Sequence, residues 1–421
     1  MARIPLIQGR TRRTLLLDTV AIAGGVAASR IGLPFISRGL AAGPIKIGVL
    51  APNAGDRATT APMVAVGTQL VMALQGSKAM GQPVELVTLD ENDVASTQTN
   101  MKKLIEEHKV VAVLGGTDAA SALALNTIAA QAKIPLVVHS AMYDGLTGKN
   151  CNPWLFRVPI PFSIQLRALS PYMTGYGKKW FLLGVESVPG KAILELARHE
   201  MQAAGANEIG TETVLPGLKA DFSVAIQKIK DTKPDVVVGS LLGTNLTNFL
   251  KAWNAAEMTD KIPFTQIALT DGDAYSAGKD AATGIYVKTW HYADPDISKE
   301  DKIFVENFAK QSGGAPPGTV AWQAYIGLRS LLSAIDTTGS VDPNKIREGL
   351  LGFRYPSGEL TLQYRESDHQ MMHRVAVLET KSSISDKYSW WDVETHYPQK
   401  NADLGKLYGT AAENGCVMSS G

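Results

Sequence analysis

Residues 110–138 read VVAVLGGTDAASALALNTIAAQAKIPLVV, and this stretch decides the fold. Val110–Leu114 is a short apolar run rich in β-branched residues. Gly115-Gly116 breaks it, Ala120–Ala132 is built mostly from helix formers, and Ile134–Val138 is a second apolar run. Strand, glycine turn, helix and strand make a βαβ unit whose two strands lie parallel in one sheet. Strands that read as unbroken Val/Ile/Leu runs, without polar alternation, are covered by helices on both faces.

The same grammar extends in both directions. Upstream lie a strand at Ile45–Leu50, a helix at Pro62–Leu74, a strand at Val84–Leu89 and a helix at Ser96–Glu107. Downstream, Trp154–Val158 is a further strand. After about residue 160 the alternation starts again. Helices are expected at Ile164–Tyr176, Lys191–Ala204, Asp221–Lys230 (with Asp221 as N-cap) and Leu246–Ala256. Strands are expected at Trp180–Val185, Ile209–Leu215, Val236–Ser240, Thr265–Leu269 and Ile285–Trp290. Helices at Lys302–Ser312, Thr319–Ile335 and Asn344–Gly352 follow, then strands at Phe353–Gln363 and His373–Thr380 and a Ser/Lys/Asp-rich aromatic tail. The expected fold class is α/β, with two doubly wound parallel-sheet lobes.

Composition bounds the function. Of 421 residues, 45% are hydrophobic and 19% charged, with a net charge of +1. That balance argues against wholesale disorder and against a nucleic-acid scaffold, so no nucleic-acid partner is expected. The basic excess sits in residues 1–42, which carry Arg3, Arg10, Arg12, Arg13, Arg30 and Arg38 against Asp18. Arg12-Arg13 precedes Leu15-Leu16-Leu17 and a Gly/Ala-rich apolar run, and small residues close the segment at Gly39–Ala42. This is the pattern of a cleaved export signal, with the arginine pair of the twin-arginine type. Its longest uncharged stretch, Thr19 to Ser29, is too short to span a bilayer. The mature chain is expected in the periplasm, starting near Gly43. Cys151 and Cys416 are the only cysteines, and in an oxidising compartment they are expected to pair.

Catalytic signatures are missing. No phosphate loop and no G-x-G-x-x-G follows the first strand, and residues 184–188 (GVESV) are not a nucleophile elbow. No cofactor is expected. Two cysteines without clustered histidines do not make a zinc site, and no metal is expected. His369 and His373 read as surface histidines and His139 as a polar contact beyond a buried strand. No enzymatic activity is expected.

Ligands of open α/β sheets bind beyond the carboxyl ends of the strands. The post-strand loops are Pro52–Thr60, Gly115–Ser121 and Ser140–Leu146 in the first half, and Glu186–Gly190, Leu242–Asn245 and Thr270–Tyr275 in the second. They supply the candidate ligand-binding residues Asn53, Thr59, Thr117, Asp118, Ala119, Ser140, Ala141, Met142, Glu186, Ser187, Asn245, Asp271 and Asp273. Loops ending in Gly, Ser, Thr or Asn before a helix expose N–H donors to an anionic group.

The exported leader, Ile45–Leu50, Val113–Ser121, Ile134–Ala141, Asp144–Thr147 leading to Phe156-Arg157, Lys233–Val238 and Ala324-Tyr325 together resemble one known family. It is the type I periplasmic solute-binding proteins of ABC transporters, which includes leucine/isoleucine/valine-, amide- and urea-binding members. The resemblance implies two lobes joined by three hinge crossings, near 158–161, 292–295 and 371–374. The first lobe would comprise 43–158 and 292–372. The second would comprise 159–291, with 373–421 adding a strand and the tail. It also implies a small-molecule ligand, ABC permease and ATPase subunits as partners, and a monomer.

The chain departs from the family's amino-acid binders. The serine that holds the ligand carboxylate falls at Ala119, the threonine at the ammonium falls at Met142, and a second-lobe tyrosine falls at or near Pro189. Asp271 or Asp273 would keep an acidic contact. The ligand is therefore expected to be an amino-acid-like molecule, amide or carboxylate held mainly by first-lobe loops, and not a free branched-chain amino acid. Trp290 either faces the cleft or fills the hinge. A ligand-sensing subunit of a signalling system and an exported α/β enzyme remain alternative readings.

Overall fold

The computed structural model describes residues 43–418, apart from 216, 218, 219, 242, 268 and 270, so the leader and its cleavage zone lie outside the described residues. The first six strands are β1 (Ile45–Ala51), β2 (Lys78–Ala79), β3 (Gln82–Asp90), β4 (Ala112–Gly115), β5 (Leu136–Val138) and β6 (Leu155–Arg157). They form one sheet in the order β2-β3-β1-β4-β5-β6, parallel except for the β2–β3 pair. Helices α1 (Thr60–Leu74), α2 (Val94–Glu106) and α3 (Ala119–Ala132) connect them.

The second sheet contains β7 (Lys179–Val185), β8 (Asn207–Val214), β9 (Val236–Gly239), β10 (Phe264–Gln266) and β11 (Ile285–Lys288). They alternate with α4 (Phe162–Met173), α5 (Val188–Ala203), α6 (Ser223–Thr232), α7 (Thr244–Ala255) and the short α8 (Asp271–Tyr275). The chain then supplies α9 (Lys299–Gln311), α10 (Thr319–Thr338) and α11 (Pro343–Leu351) and a hairpin of β12 (Tyr355–Ser357) and β13 (Leu360–Leu362). Strands β14 (Val375–Thr380) and β15 (Trp391–Tyr397) complete the sheet as β15-β14-β11-β10-β9-β7-β8, and α12 (Leu404–Tyr408) closes the tail. β14 and β15 run antiparallel to their neighbours.

The apolar runs conceal a period of two. Ala112, Leu114 and Val137 pack with α1 and α10, while Val113, Leu136 and Val138 pack on the opposite face. In the second sheet Phe181, Leu183 and Val237 face one core and Leu182, Val236 and Val238 the other. Each such fully buried side chain contributes roughly 1.5–3 kcal/mol. Close helix packing also sets a requirement at Gly67, where a Cβ would lie 2.4 Å from the Ala321 carbonyl oxygen of α10. Among the described residues, no helix is long and apolar enough to cross a membrane.

Several local expectations are corrected. Asp221 does not N-cap α6; the cap is Phe222, and the Asp221 carboxylate accepts the Ser223 N–H in a turn just before it. Residues 353–363 form the β12–β13 hairpin rather than one strand, because Gly358 turns the chain at φ +57°. The aromatic tail contains a full strand, β15, whose first residue Trp391 and the preceding Trp390 are buried. Nor are His369 and His373 on the surface; they are 4% and 2% exposed. His369 stacks on Phe156 with ring centroids 4.0 Å apart, and His373 Nε2 donates to the Val158 carbonyl at 2.8 Å. These bonds, with Gln370 Nε2 donating to Pro159 O at 3.0 Å, hold residues 369–373 alongside 157–159, where the chain leaves the first sheet. Trp290 is 4% exposed and packs into the first-sheet core, stacked on Trp322 at 5.5 Å.

The tail is tied down twice. Cys151 and Cys416 form the expected disulfide, with Cα atoms 5.6 Å apart. The Tyr408 hydroxyl accepts from His373 N and donates to His373 O.

Candidate ligand-binding cleft

A cavity of about 180 Å³ lies where loops beyond the C-terminal ends of strands from both sheets converge. Eight of the expected residues line it: Thr59, Thr117, Asp118, Ala119, Ser140, Ala141, Met142 and Asp273. The first-sheet wall is built from the loop after β4 and the loop after β5, which touch directly. Gly116 turns the first loop at φ +85°, and its carbonyl oxygen accepts the N–H of Ser140 and Ala141 at 3.3 and 2.9 Å.

Beneath this wall lie buried ionisable groups. Glu91, just after β3, accepts the Gly116 and Thr117 N–H at 2.9 and 2.6 Å. Burial outweighs those bonds and pushes its carboxyl up to about 7. The buried Thr117 hydroxyl lies beside that carboxyl and helps to lower it, against the larger effect of burial. His139 Nε2 meets the Leu50 carbonyl oxygen at 3.0 Å, which only a protonated nitrogen can do. Its Nδ1 must then be the acceptor of the Ser140 hydroxyl proton at 2.7 Å. Ser140 is thereby left with lone pairs, not a proton, for anything in the cleft. Burial holds His139 down to about 4, so the ring stays neutral. Arg157, fully buried, donates to Tyr143 O, Thr147 Oγ1 and Gln370 Oε1 and clamps the far end of the loop after β5.

The N–H donors expected after Gly115-Gly116 are largely consumed. Glu91 takes two, and Asp118 Oδ1 accepts from Ala120 N at 2.8 Å and Ser121 N at 3.0 Å as the N-cap of α3. The Asp118 carboxylate thus occupies N–H groups that an anionic ligand would otherwise use.

Opposite this wall lie Ile193, Gly243, Leu269, Asp273, Val287, Lys288 and Thr289 from the second-sheet side. From α10, Thr319, Val320 and Gln323 close the floor. Residues 44–386 of the chain match the family model described as periplasmic binding protein. The chain belongs to that family. Leu/Ile/Val-binding protein homolog 6 of Brucella melitensis is 24% identical over 370 residues, which cover 86% of this chain and 93% of that protein. A branched chain amino acid ABC transporter periplasmic ligand-binding protein from Burkholderia xenovorans LB400 superposes with a TM-score of 0.79 at 20% identity, covering 89% of this chain and 99% of the other. An ABC transporter solute binding protein from R. palustris, in complex with benzoate, gives 0.75 at 22% identity, covering 84% and 96%. At these identities the structures share the fold.

Against this periplasmic binding protein background, five expected site residues fall elsewhere. Asn53 is exposed and exchanges hydrogen bonds with Asn92. Glu186 pairs with Lys191 and Thr213. Ser187 N-caps α5. Asn245 is buried on α7 outside the cavity lining, with Oδ1 unpartnered. Asp271 is buried behind the wall, bound to Lys288 Nζ. These residues sit in the correct loops, but the side chains of Asn53, Glu186 and Ser187 find partners nearby in their own sheet's connections, and Asp271 is held by Lys288 and by Thr319 N of α10.

The residues missed were Arg57, Thr60, Tyr143, Phe162, Gln165, Ile193, Gly243, Leu269, Val287, Lys288, Thr289, Thr319, Val320 and Gln323. Strand-end and helix-start positions carried the signal for Phe162, Lys288, Thr289 and Thr319; nothing local marked Ile193. The lining's two carboxylates, Asp118 and Asp273, face two cations, Arg57 and Lys288. Arg57 Nη1 donates to Thr117 O at 3.3 Å, and Lys288 is committed to Asp271 and to His291 Nδ1 at 3.4 Å. Elsewhere, Asp294, Asp296 and His396 bring possible metal-ligand atoms within 4.8 Å of one another. There the imidazole lies between the carboxylates, with Nε2 2.6 Å from Asp294 Oδ2 and Nδ1 3.9 Å from Asp296 Oδ2.

Proposed function

We propose that this chain is an extracytoplasmic receptor that binds a small organic solute and delivers it to an ABC importer through permease and ATPase subunits, acting as a monomer. The carrying observation is the two-walled cavity at the strand ends of both sheets, in a chain of the periplasmic binding protein family. Residues 1–42 would be a twin-arginine export signal cleaved near Ala42. Two lobes, 43–158 with 292–372 and 159–291 with 373–421, would close on the ligand by hinging at 158–161, 292–295 and 371–374. Closure of this kind is a population shift toward the state in which both walls touch the ligand.

A volume of about 180 Å³ is below the ~300–1,000 Å³ of sites for drug-sized molecules, which favours a compact solute. Met142, Phe162, Ile193, Leu269, Val287 and Val320 supply an apolar surround, suited to an aliphatic or aromatic body. Thr117 and the lone pairs of Ser140 supply polar contacts, with Thr59, Asp118, Ala119, Ala141 and Asp273 completing the contact set. An amide, whose N–H groups can meet the lone pairs of Ser140, satisfies this lining better than a free branched-chain amino acid, and an aromatic carboxylate would have to be met by Arg57.

A thermal-shift screen followed by calorimetry against leucine, valine, simple amides, urea and aromatic carboxylates tests the reading. A ligand at ~100 times its Kd adds ~2.7 kcal/mol to stability. Micromolar or tighter binding of leucine or valine would overturn the solute assignment. Mass spectrometry of periplasmic protein should give a mature start within a few residues of Gly43.

A further inference from the structure

We infer that Asp271 is a positioning residue that joins the two walls of the cleft by capping, from the second wall, a helix of the first; the inference rests on the cleft being the ligand site. Helix α10 is 20 residues long, and its N-cap is Gly318, which has no side-chain oxygen. A helix of this length presents a partial positive charge at its start. The carboxylate of Asp271, at the beginning of α8 on the other wall, fills the empty cap. Its Oδ2 accepts the Thr319 N–H at 3.3 Å, and its Oδ1 accepts from Lys288 Nζ. Gly318 leaves room for this approach, since a Cβ there would lie 3.1 Å from Oδ2. Asp271 is 7% exposed and Lys288 3%, so the pair is sheltered from water.

The consequence follows from the topology. α10 packs on α1 and on strands β4 and β5, whereas Asp271 and Lys288 belong to the second sheet and its connections. With the walls together, the carboxylate has a partner on each. Drawing the walls apart removes Thr319 N and leaves α10 uncapped. The closed state therefore contains a contribution independent of ligand, and apparent affinity scales with the closed fraction. Lys288 and Thr319 both line the cavity, so Asp271 also sets the position of groups that a ligand meets.

The test uses the ligand-free mature protein, spin-labelled at Lys102→Cys on α2 and Lys251→Cys on α7, both exposed positions. The native cysteines are bridged and do not label. Lys288→Met accompanies each Asp271 variant, but not the parent, to avoid an unpaired buried ammonium. With Asp271→Asn, whose amide oxygen still accepts the Thr319 N–H, the distance distribution should remain that of the parent. With Asp271→Ala, the open-to-closed ratio should rise about fivefold, the population equivalent of one lost cap. Adding Gly318→Ser to the Asp271→Ala protein supplies a cap in cis. It should restore thermal stability and leave the distance distribution open. Identical distributions for the Asn and Ala variants would overturn the inference, as would Gly318→Ser restoring both readouts. A failed solute screen bears on the proposed function alone, because no ligand enters these measurements.

Discussion

The two walls of the cleft are stabilised by opposite strategies. On the first-sheet wall, backbone N–H groups and hydroxyls are held from below by buried groups close in the sheet: Glu91 under Gly116-Thr117 and His139 under Ser140. On the second, the polar anchor is an ion pair, Lys288–Asp271, whose other partner, Thr319, comes from across the cleft. The first wall is held by groups of its own sheet; if Asp271 acts as inferred, the second depends on the walls being together, so that one wall would be preorganised and the other assembled on closure.

The largest expected effect probes, through acid, the first wall and the 369–373 segment that packs along residues 155–158. Burial holds His139, His369 and His373 near 4, below an ordinary histidine. A depressed histidine contributes stability above about pH 6.5 and loses it as pH falls through about 4. Glu91, raised to about 7, has the opposite sign: its contribution is present below about 4.5 and lost as pH rises through 7. Each group is worth on the order of 3 kcal/mol, so three histidines outweigh one glutamate. In urea denaturation these four groups alone give a net loss on the order of 6 kcal/mol between pH 7 and pH 4, and His291, also held well below an ordinary histidine by burial, adds to it. A flat profile would mean that these rings are hydrated.

The second wall should respond to a single truncation. Asp271→Ala leaves the Lys288 ammonium buried without a counter-ion, and such losses run to about 3–5 kcal/mol. Adding Lys288→Met should recover most of it in the same denaturation assay. If it does not, the two walls are not built as differently as described.

Glu91→Gln sharpens the comparison next. It removes the titration, so between pH 5 and pH 8 the variant should lack the decline of about 3 kcal/mol that Glu91 imposes on the parent. Subtracting the two urea-derived profiles isolates this group from the histidines.

The smallest effect is expected at Asp118→Ala, which removes the cap of α3 at a cost of about 1 kcal/mol. It also frees the N–H groups of Ala120 and Ser121. Binding of simple carboxylates, measured by calorimetry, should strengthen; unchanged binding would show that the ligand never approaches that helix end.

The alternation of apolar runs and helices, the parallel core of both sheets, the loops that meet at the cleft and the pairing of Cys151 with Cys416 were legible in residue order. Each rests on local chemistry: periodicity, glycine turns, and cysteine count in an exported chain. Eight of the thirteen expected ligand residues line the cavity because strand ends in an open α/β sheet all face one crevice. Which side chain in a loop turns inward was not legible, since that depends on partners distant in the chain. Asp271 faces Lys288 and Thr319, Asn53 faces Asn92, and His369 and His373 face carbonyl groups of residues 155–158. A histidine reads as a surface residue from its polarity, yet a lone carbonyl oxygen is enough to accept its proton in the interior. Only the tertiary structure decides which oxygen that is, because a buried polar group goes wherever its hydrogen bond can be made.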